Sequence, residues 1–479
     1  MLKKGWFING EEKVVSETYE IFHPHTEEKL ADVAYSSKKM MSEAIEAATN
    51  SFPIIKDLSC RERADILFQA ATLLEEEKEE VALIICDEAA KPISAARGEV
   101  DRTIQTLQFS GEEAKKLAGE YVPLAAGKGG EGRDAYTIHE PIGVIGAITP
   151  FNFPLNLTTH KAGPAVATGN PIIIKPAEQT PLSSLYLADL LTRAGLPKGA
   201  IAVVPGDGPP LGEVLLEDER VKKISFTGSP EVGKQIKKNA GLKKVTLELG
   251  SNSAMYVDES VADDLDTVVN QAVNGAFAYN GQVCLSTQRI YVHEKIASTF
   301  KDKFTKNAKN VAFGDPRDEN TQVSSLIKRA AQQRVLQWID ESVNSGAELL
   351  IGGTPEANGV HPTALANVNE ALNISCKEVF GPVVLINEVQ SSEEALTAMN
   401  NSNYGLNAGV FTNHLSQALN MAHSLEVGQV MINDVPTLRF DHMPYGGVKD
   451  SGYGREGIKY AMEEMTELKM ISLNYTFGN

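Results

Sequence analysis

Between Pro141 and Gly250 the chain alternates short apolar runs with helical ones, and this rhythm limits the fold more than any other feature. The runs 143–149 (GVIGAIT), 171–176 (PIIIKP), 200–206 (AIAVVPG), 222–228 (KKISFTG) and 243–250 (KKVTLELG) have the length and β-branched content of buried strands. Segments 155–169, 181–195, 210–219 and 229–241 between them read as helices, with Gly195 at a C-terminal stop. Such alternation spells βαβ units around a doubly wound parallel sheet, whose ligands sit at the carboxyl ends of the strands. After Asn252 a second set follows. A helix at 264–280 leads to apolar runs at 284–294, 382–389, 405–413 and 427–435, which predict a second α/β lobe.

Ahead of the first sheet, residues 36–117 repeat apolar positions at three and four spacing and read as helices. The Gly- and Ala-rich stretch 118–133 reads as an exposed hairpin or arm. A chain of 479 residues can bury a large core without disulfide or metal staples. With 63 acidic against 45 basic residues the formal charge is −18, which argues against nucleic acid or an anionic membrane as the main partner. Cys60, Cys86, Cys284 and Cys376 are widely spaced, and the N-terminal MLKKGWFINGEE lacks the apolar core of a secretory leader. No run reaches the ~18 apolar residues of a membrane span. A cytoplasmic protein with reduced thiols is expected.

The residues able to carry chemistry lie where strands end. Cys284, in NGQVCLST, reads either as a buried small hydrophobe or as a nucleophile activated by nearby dipoles or a base. Glu248 closes an apolar strand, as a salt-bridged strand end or as a general base. Asn152 is bracketed by Pro150 and Pro154 in a stiff turn, as a turn-former or as an amide donor to an oxyanion. Lys175 and Glu178 end the strand IIIK and suit a ribose or phosphate, or form an ordinary surface pair. Ser229 opens a strand–turn–helix, FTGSPEVG. Neither GxGxxG nor GxxxxGK[ST] is present. His23 and His25 stand one residue apart with no partner cluster, so no metal site is expected.

Seven ordered blocks resemble the aldehyde dehydrogenase superfamily of non-phosphorylating NAD(P)-dependent enzymes. They are ITPFNFP (148–154), IIIKPAEQTP (172–181), FTGSPEVG (226–233), LELG (247–250), GQVC (281–284), EVFGPV (378–383) and PYGGVKDSGYGREG (444–457). The resemblance implies that Cys284 is the thiol that adds to the aldehyde, with the oxyanion held by Asn152 and the Cys284 amide. Hydride transfer then leaves a thioester, which water activated by Glu248 hydrolyses to the acid. It implies cofactor contacts at Lys175, Glu178, Ser229, Gly233, Leu249, Glu378 and Phe380. Glu178, facing the adenosine ribose, favours NAD, with NADP possible. Ser251 replaces the second glycine of the usual LELGG, so backbone freedom near the base is expected to differ.

The blocks around GEVDRTIQT and RFDHMPYGG resemble the lactaldehyde and non-phosphorylating glyceraldehyde-3-phosphate branches. They place Arg102 and Arg439 at substrate-facing positions, where each grips an anion or serves as an ion-pair partner. Val283 stands where the glyceraldehyde-phosphate relatives have arginine, which weakens a phosphorylated substrate. The implied function is oxidation of a small hydroxylated or anionic aldehyde. A coenzyme A-acylating enzyme and a non-catalytic binding protein are the alternatives.

The implied architecture is α/β: a Rossmann-type cofactor domain (1–119 and 141–250), a catalytic domain (251–463), and a β arm and tail (120–140 and 464–479). An open β edge on that tail predicts a homodimer or homotetramer.

Overall fold

The computed structural model describes residues 2–477, so Gly478 and Asn479 of the expected tail lie outside the described residues. Its organising element is an eight-stranded sheet. Across it the strands run Gly452–Tyr453, Lys244–Glu248, Val221–Thr227, Val144–Ile148, Ile172–Lys175, Ile201–Val203, Trp6–Ile8 and Glu11–Lys13. The central five are parallel. From Val144–Ile148 the chain winds one way through two strands, then crosses to wind the other way. The crevice this reversal opens lies beside Val144–Ile148. Register aligns the strand ends there: Ile148 pairs with both Lys175 and Phe226, and Thr227 with Glu248. Asn152, Lys175, Ser229 and Glu248 therefore meet at one edge.

One stretch departs from the division expected above. Gly452–Tyr453 pairs antiparallel with Leu247–Glu248, and the helix Ile458–Glu464 packs on Asn156–Thr168. Residues 452–464 thus complete the first sheet rather than the second lobe, because Lys244–Glu248 would otherwise present an open edge beside the site. The N-terminal strands Leu2–Lys4, Thr18–Phe22 and Lys29–Ala34 form a small sheet that no sequence pattern announced.

The helix Asn156–Thr168 is buried at every position although its sequence is not apolar all round. Its polar groups are satisfied instead. Glu99 accepts from the N–H groups of Leu155 and Asn156 at its first turn. Thr158 and Thr159 donate to Pro154 and Leu155 carbonyls, and His160 and Lys161 bond across to Asp441 and Glu456. Each bond offsets a desolvation penalty that would otherwise exclude the residue from this position. Helices Lys38–Asp57, Cys60–Glu76, Lys78–Ala89 and Ile93–Ala114 fill the predicted helical region. Ser59 and Glu62 form a reciprocal capping box at the start of the second.

The second lobe is a seven-stranded sheet, parallel apart from its first edge strand, Glu348–Ile351. Arg289–His293 runs through its centre, so the segment carrying Cys284 enters directly from the core. A third sheet pairs Thr466–Asn474 with Arg133–Pro141 over nine residues, and Tyr121–Val122 beyond. This joins the arm and the tail.

Candidate active site

The loop before Cys284 is built from unusual backbone. Tyr279, Asn280 and Gly281 have φ of 42°, 59° and 68°. Asn280 pins the bend, accepting from the Ser324 N–H at 2.6 Å and donating to the Ser325 carbonyl at 2.9 Å. At Gly281 a Cβ would lie 2.0 Å from the Gly381 carbonyl, so only glycine lets the thiol loop lie against the loop carrying Phe380.

Cys284 stands between two cavities and lines both. The larger, about 1160 Å³, follows the carboxyl edge of the first sheet. Asn152, Lys175, Glu178, Ser229, Glu248, Leu249, Glu378 and Phe380 share its wall. Gly233 does not: it lies behind Leu249, whose Cδ2 would be 2.4 Å from any Cβ there.

Within this groove each predicted residue has a definite partner. Asn152 Nδ2 donates to the Gln282 carbonyl at 2.9 Å, which leaves its second N–H without a partner among the described residues. Lys175 donates to Glu178, whose side chain is 41% exposed at the rim. Ser229 caps the helix Pro230–Asn239 by accepting from the Val232 N–H at 3.4 Å. Ser251 resolves the departure from LELGG. Its N–H donates to Glu378 at 3.0 Å and its hydroxyl turns to Ser253, in a backbone that needs no glycine. Burial pushes the Glu378 carboxyl up to about 7.

Glu248 is 3% exposed, and neither of its carboxyl oxygens has a hydrogen-bond partner among the described residues. Burial, then the charge of Glu456, raises it well above the carboxylate range. Glu456 moves the opposite way. Burial opposes its ionisation, but Lys161, bonded at 2.6 Å, and nearby His160 and Arg439 outweigh that. Two neighbouring carboxyl groups with affinities pushed apart are an arrangement suited to acid–base work by one and a fixed charge on the other.

The smaller cavity holds about 190 Å³, bounded by Lys91, Arg102, Phe153, Val283, Thr437 and Arg439. Arg102 bonds Asp441, as the ion-pair reading expects, and also lines this space. Arg439 is 7% exposed at its side chain and lies 3.7 Å over the Tyr445 ring. Its Nε and Nη2 lack hydrogen-bond partners among the described residues, and Glu456 is 3.8 Å away. Lys91 is fully buried against Glu99 and 3.7 Å over the Phe153 ring.

The family model described as the aldehyde dehydrogenase family matches residues 11–471. The chain belongs to the aldehyde dehydrogenase family. It is 44% identical over 470 residues to a 3-sulfolactaldehyde dehydrogenase of Priestia aryabhattai, covering 98% of each chain. It is 40% identical over 472 residues to a lactaldehyde dehydrogenase of Methanococcus maripaludis, covering 98% of this chain and 99% of that one. A crystal structure of aldehyde dehydrogenase 21 from Physcomitrella patens, in complex with its reaction product succinate, superimposes with a TM-score of 0.97. That match is 36% identical and covers 100% of this chain and 99% of the other. This aldehyde dehydrogenase is accordingly an oxidoreductase acting on aldehydes, and its fold is the family's.

Three residues of this aldehyde dehydrogenase's site escaped sequence reasoning. Tyr445 touches the thiol, Sγ to Oη at 3.0 Å, yet reads in sequence as one aromatic residue in a glycine-rich block. Asp441 collects Arg102, Asn156 and His160 from elements 281 to 339 residues away, and no spacing rule anticipates that. Lys91 was detectable only as a lone lysine behind an apolar helix end. No helix among the described residues is long and apolar enough to cross a membrane.

Proposed function

We propose that this enzyme oxidises a small aldehyde carrying one negative charge to its carboxylic acid, through a thiohemiacetal on Cys284. The observation that carries this reading is that Cys284 divides a cavity with arginines on its wall from a groove at the carboxyl edge of a doubly wound sheet. The groove fits a dinucleotide. Lys175 and Glu178 suit ribose hydroxyls, Leu249 and Phe380 offer apolar surface, and Glu378 is a second ribose acceptor. Glu178 disfavours a 2′-phosphate by like charge, so NAD is preferred. Its exposure lets the side chain turn aside, so NADP is tolerated.

The chemistry follows from the residues. The Cys284 thiol releases its proton to solvent in the groove, and the sulfur adds to the aldehyde carbon as the carbonyl electron pair moves onto oxygen. The free N–H of Asn152 and the Cys284 amide hold that oxygen. A nicotinamide held in the groove would supply the hydride acceptor, and loss of hydride from the same carbon leaves a thioester on Cys284. Glu248, in its ionised form, next deprotonates a water that attacks the thioester carbonyl. The C–S bond breaks, and the acid leaves. Retention of Glu248 disfavours transfer to coenzyme A.

Charge balance on the cavity wall selects the tail of the substrate. Lys91 is bonded to Glu99 and Arg102 to Asp441, while Arg439 meets a carboxylate only at 3.8 Å, in Glu456, which is itself bonded to Lys161 at 2.6 Å. One cation is left over, which matches a sulfonate or carboxylate rather than a phosphate dianion. A volume of about 190 Å³ suits three or four carbons. NADH formation with purified protein and 3-sulfolactaldehyde, lactaldehyde, succinate semialdehyde, glyceraldehyde 3-phosphate and a neutral aliphatic aldehyde tests this. The anionic, non-phosphorylated members should have the highest kcat/KM, and a best rate with the neutral aldehyde would overturn the reading.

The antiparallel arm–tail sheet exposes Leu468, Met470 and Leu473 on an edge strand, which supports assembly as a homodimer or a dimer of dimers.

A further inference from the structure

Tyr445 lines neither cavity. It is 2% exposed, and its backbone is clamped to Glu456 in both directions, N–H to carbonyl at 2.9 Å and carbonyl to N–H at 2.6 Å. Leu285 and Leu406 pack around the ring, so the phenol has one position. Its hydroxyl lies 3.0 Å from Cys284 Sγ, and the Arg439 guanidinium lies 3.7 Å over the ring. A thiolate has no hydrogen to give, so once Cys284 ionises the phenol must be the donor in this contact.

We propose that Tyr445 is a catalytic residue: from behind Cys284 its hydroxyl donates a hydrogen bond to the attacking sulfur, with Arg439 stacked on its ring to strengthen the donor. A cation over the ring face draws electron density from it and polarises the O–H. Arg439 thereby serves twice, facing the substrate cavity with one part of its guanidinium and supporting the nucleophile through the phenol. The proposal rests on the assignment of Cys284 as nucleophile and concerns how that sulfur is held.

The electrostatics agree. Burial pushes the Cys284 thiol up to about 11, the bond from Tyr445 and the charge of Arg439 pull it down, and Glu378 and Glu248 push it up. Burial raises the Tyr445 phenol far above its ordinary value, so it stays protonated and able to donate while the thiol titrates.

The test needs neither substrate nor cofactor, so its outcome is separate from whether the substrate assignment holds. The rate of alkylation of Cys284 by iodoacetamide is measured against pH, with the modified peptide quantified to exclude Cys60 and Cys376. In Tyr445→Phe the profile should move up by about one pH unit, and the rate at neutral pH should fall about tenfold. KM for the anionic aldehyde should stay within about twofold, since the ring lines no cavity. Replacing Tyr445 by 3,5-difluorotyrosine, a stronger donor of nearly the same size, should move the profile down. It also keeps the question answerable if the phenylalanine variant folds poorly. Profiles that superimpose on the wild type in both variants would overturn the proposal. So would shifts in the same direction, because packing damage has no reason to reverse sign with donor strength.

Discussion

Arg102 and Asp441 meet in a two-point fork, Nε to Oδ2 at 3.1 Å and Nη2 to Oδ1 at 2.6 Å. Asp441 is 4% exposed, and His160 donates to the same carboxylate at 2.8 Å. Burial alone would raise that carboxyl, but the bonds from His160 and Arg102 outweigh it and hold it ionised far below the usual range. Burial, then the charge of Arg439, keeps His160 neutral, so its proton sits on Nε2. The fork leaves Nη1 of Arg102 without a partner among the described residues, on a guanidinium that cannot rotate away. An anion in the cavity meets a donor already oriented.

Arg102→Ala should therefore raise KM for 3-sulfolactaldehyde or succinate semialdehyde about tenfold or more, with kcat little changed. A neutral aliphatic aldehyde should lose less than about threefold. Arg102 does not touch the thiol, so equal losses for both substrates in steady-state kinetics would remove it from the anion site.

Glu248→Gln separates the two half-reactions. A glutamine cannot take a proton from water, so the thioester should accumulate. Rapid mixing should show a burst of NADH followed by steady turnover slower by about 10²–10⁴. Absence of the burst would place the essential role of Glu248 at thiol deprotonation.

Asn152→Ala removes the donor proposed for the oxyanion and also frees the Gln282 carbonyl that it holds at 2.9 Å. Turnover should fall about 10²–10³ with KM nearly unchanged, because the charge on that oxygen exists only after the sulfur adds. A change confined to KM would mean that Asn152 binds the ground state.

Glu378 offers a pH test of stability. Burial pushes its carboxyl up to about 7, whereas in the unfolded chain it titrates near ~4.3. An acid whose folded pKa is raised resists ionisation in the native state, so stability falls as pH climbs through that window. Glu378→Gln keeps an acceptor for the Ser251 N–H and carries no charge. Its denaturation free energy should exceed the wild type by about 1–3 kcal/mol at pH 8, with the gain vanishing near pH 4. A pH-independent difference would contradict the burial argument.

The single leftover cation of the cavity predicts a pH effect on substrate choice. A phosphate ester loses its second proton near ~6, while a sulfonate carries one charge throughout. The ratio of kcat/KM for glyceraldehyde 3-phosphate to that for 3-sulfolactaldehyde should therefore rise as pH drops from 7.5 to 5.5. Taking the ratio cancels the ionisation of the shared thiol. A flat ratio would mean that the site does not count charge.

The sequence by itself determined the doubly wound sheet, because strand and helix periods are local, and hydrophobic residues two or four positions apart must share a face. It also placed Asn152, Lys175, Ser229 and Glu248 at strand ends, and a parallel sheet necessarily gathers its carboxyl ends along one edge. Cys284 was legible from its block and from the turn before it. What only the tertiary structure decided lies in contacts with no local period. Residues 452–464 close the first sheet because its edge needed pairing. Asp441 takes two of the donors of Arg102, and Tyr445 reaches the sulfur across 161 residues of chain. A side chain's type announces what it can bond, but its partner is set by which surfaces the packed lobes bring within three ångströms. Here that selection also set Lys91, Arg102 and Arg439 on one cavity wall, the first two bonded to carboxylates and the third 3.8 Å from one.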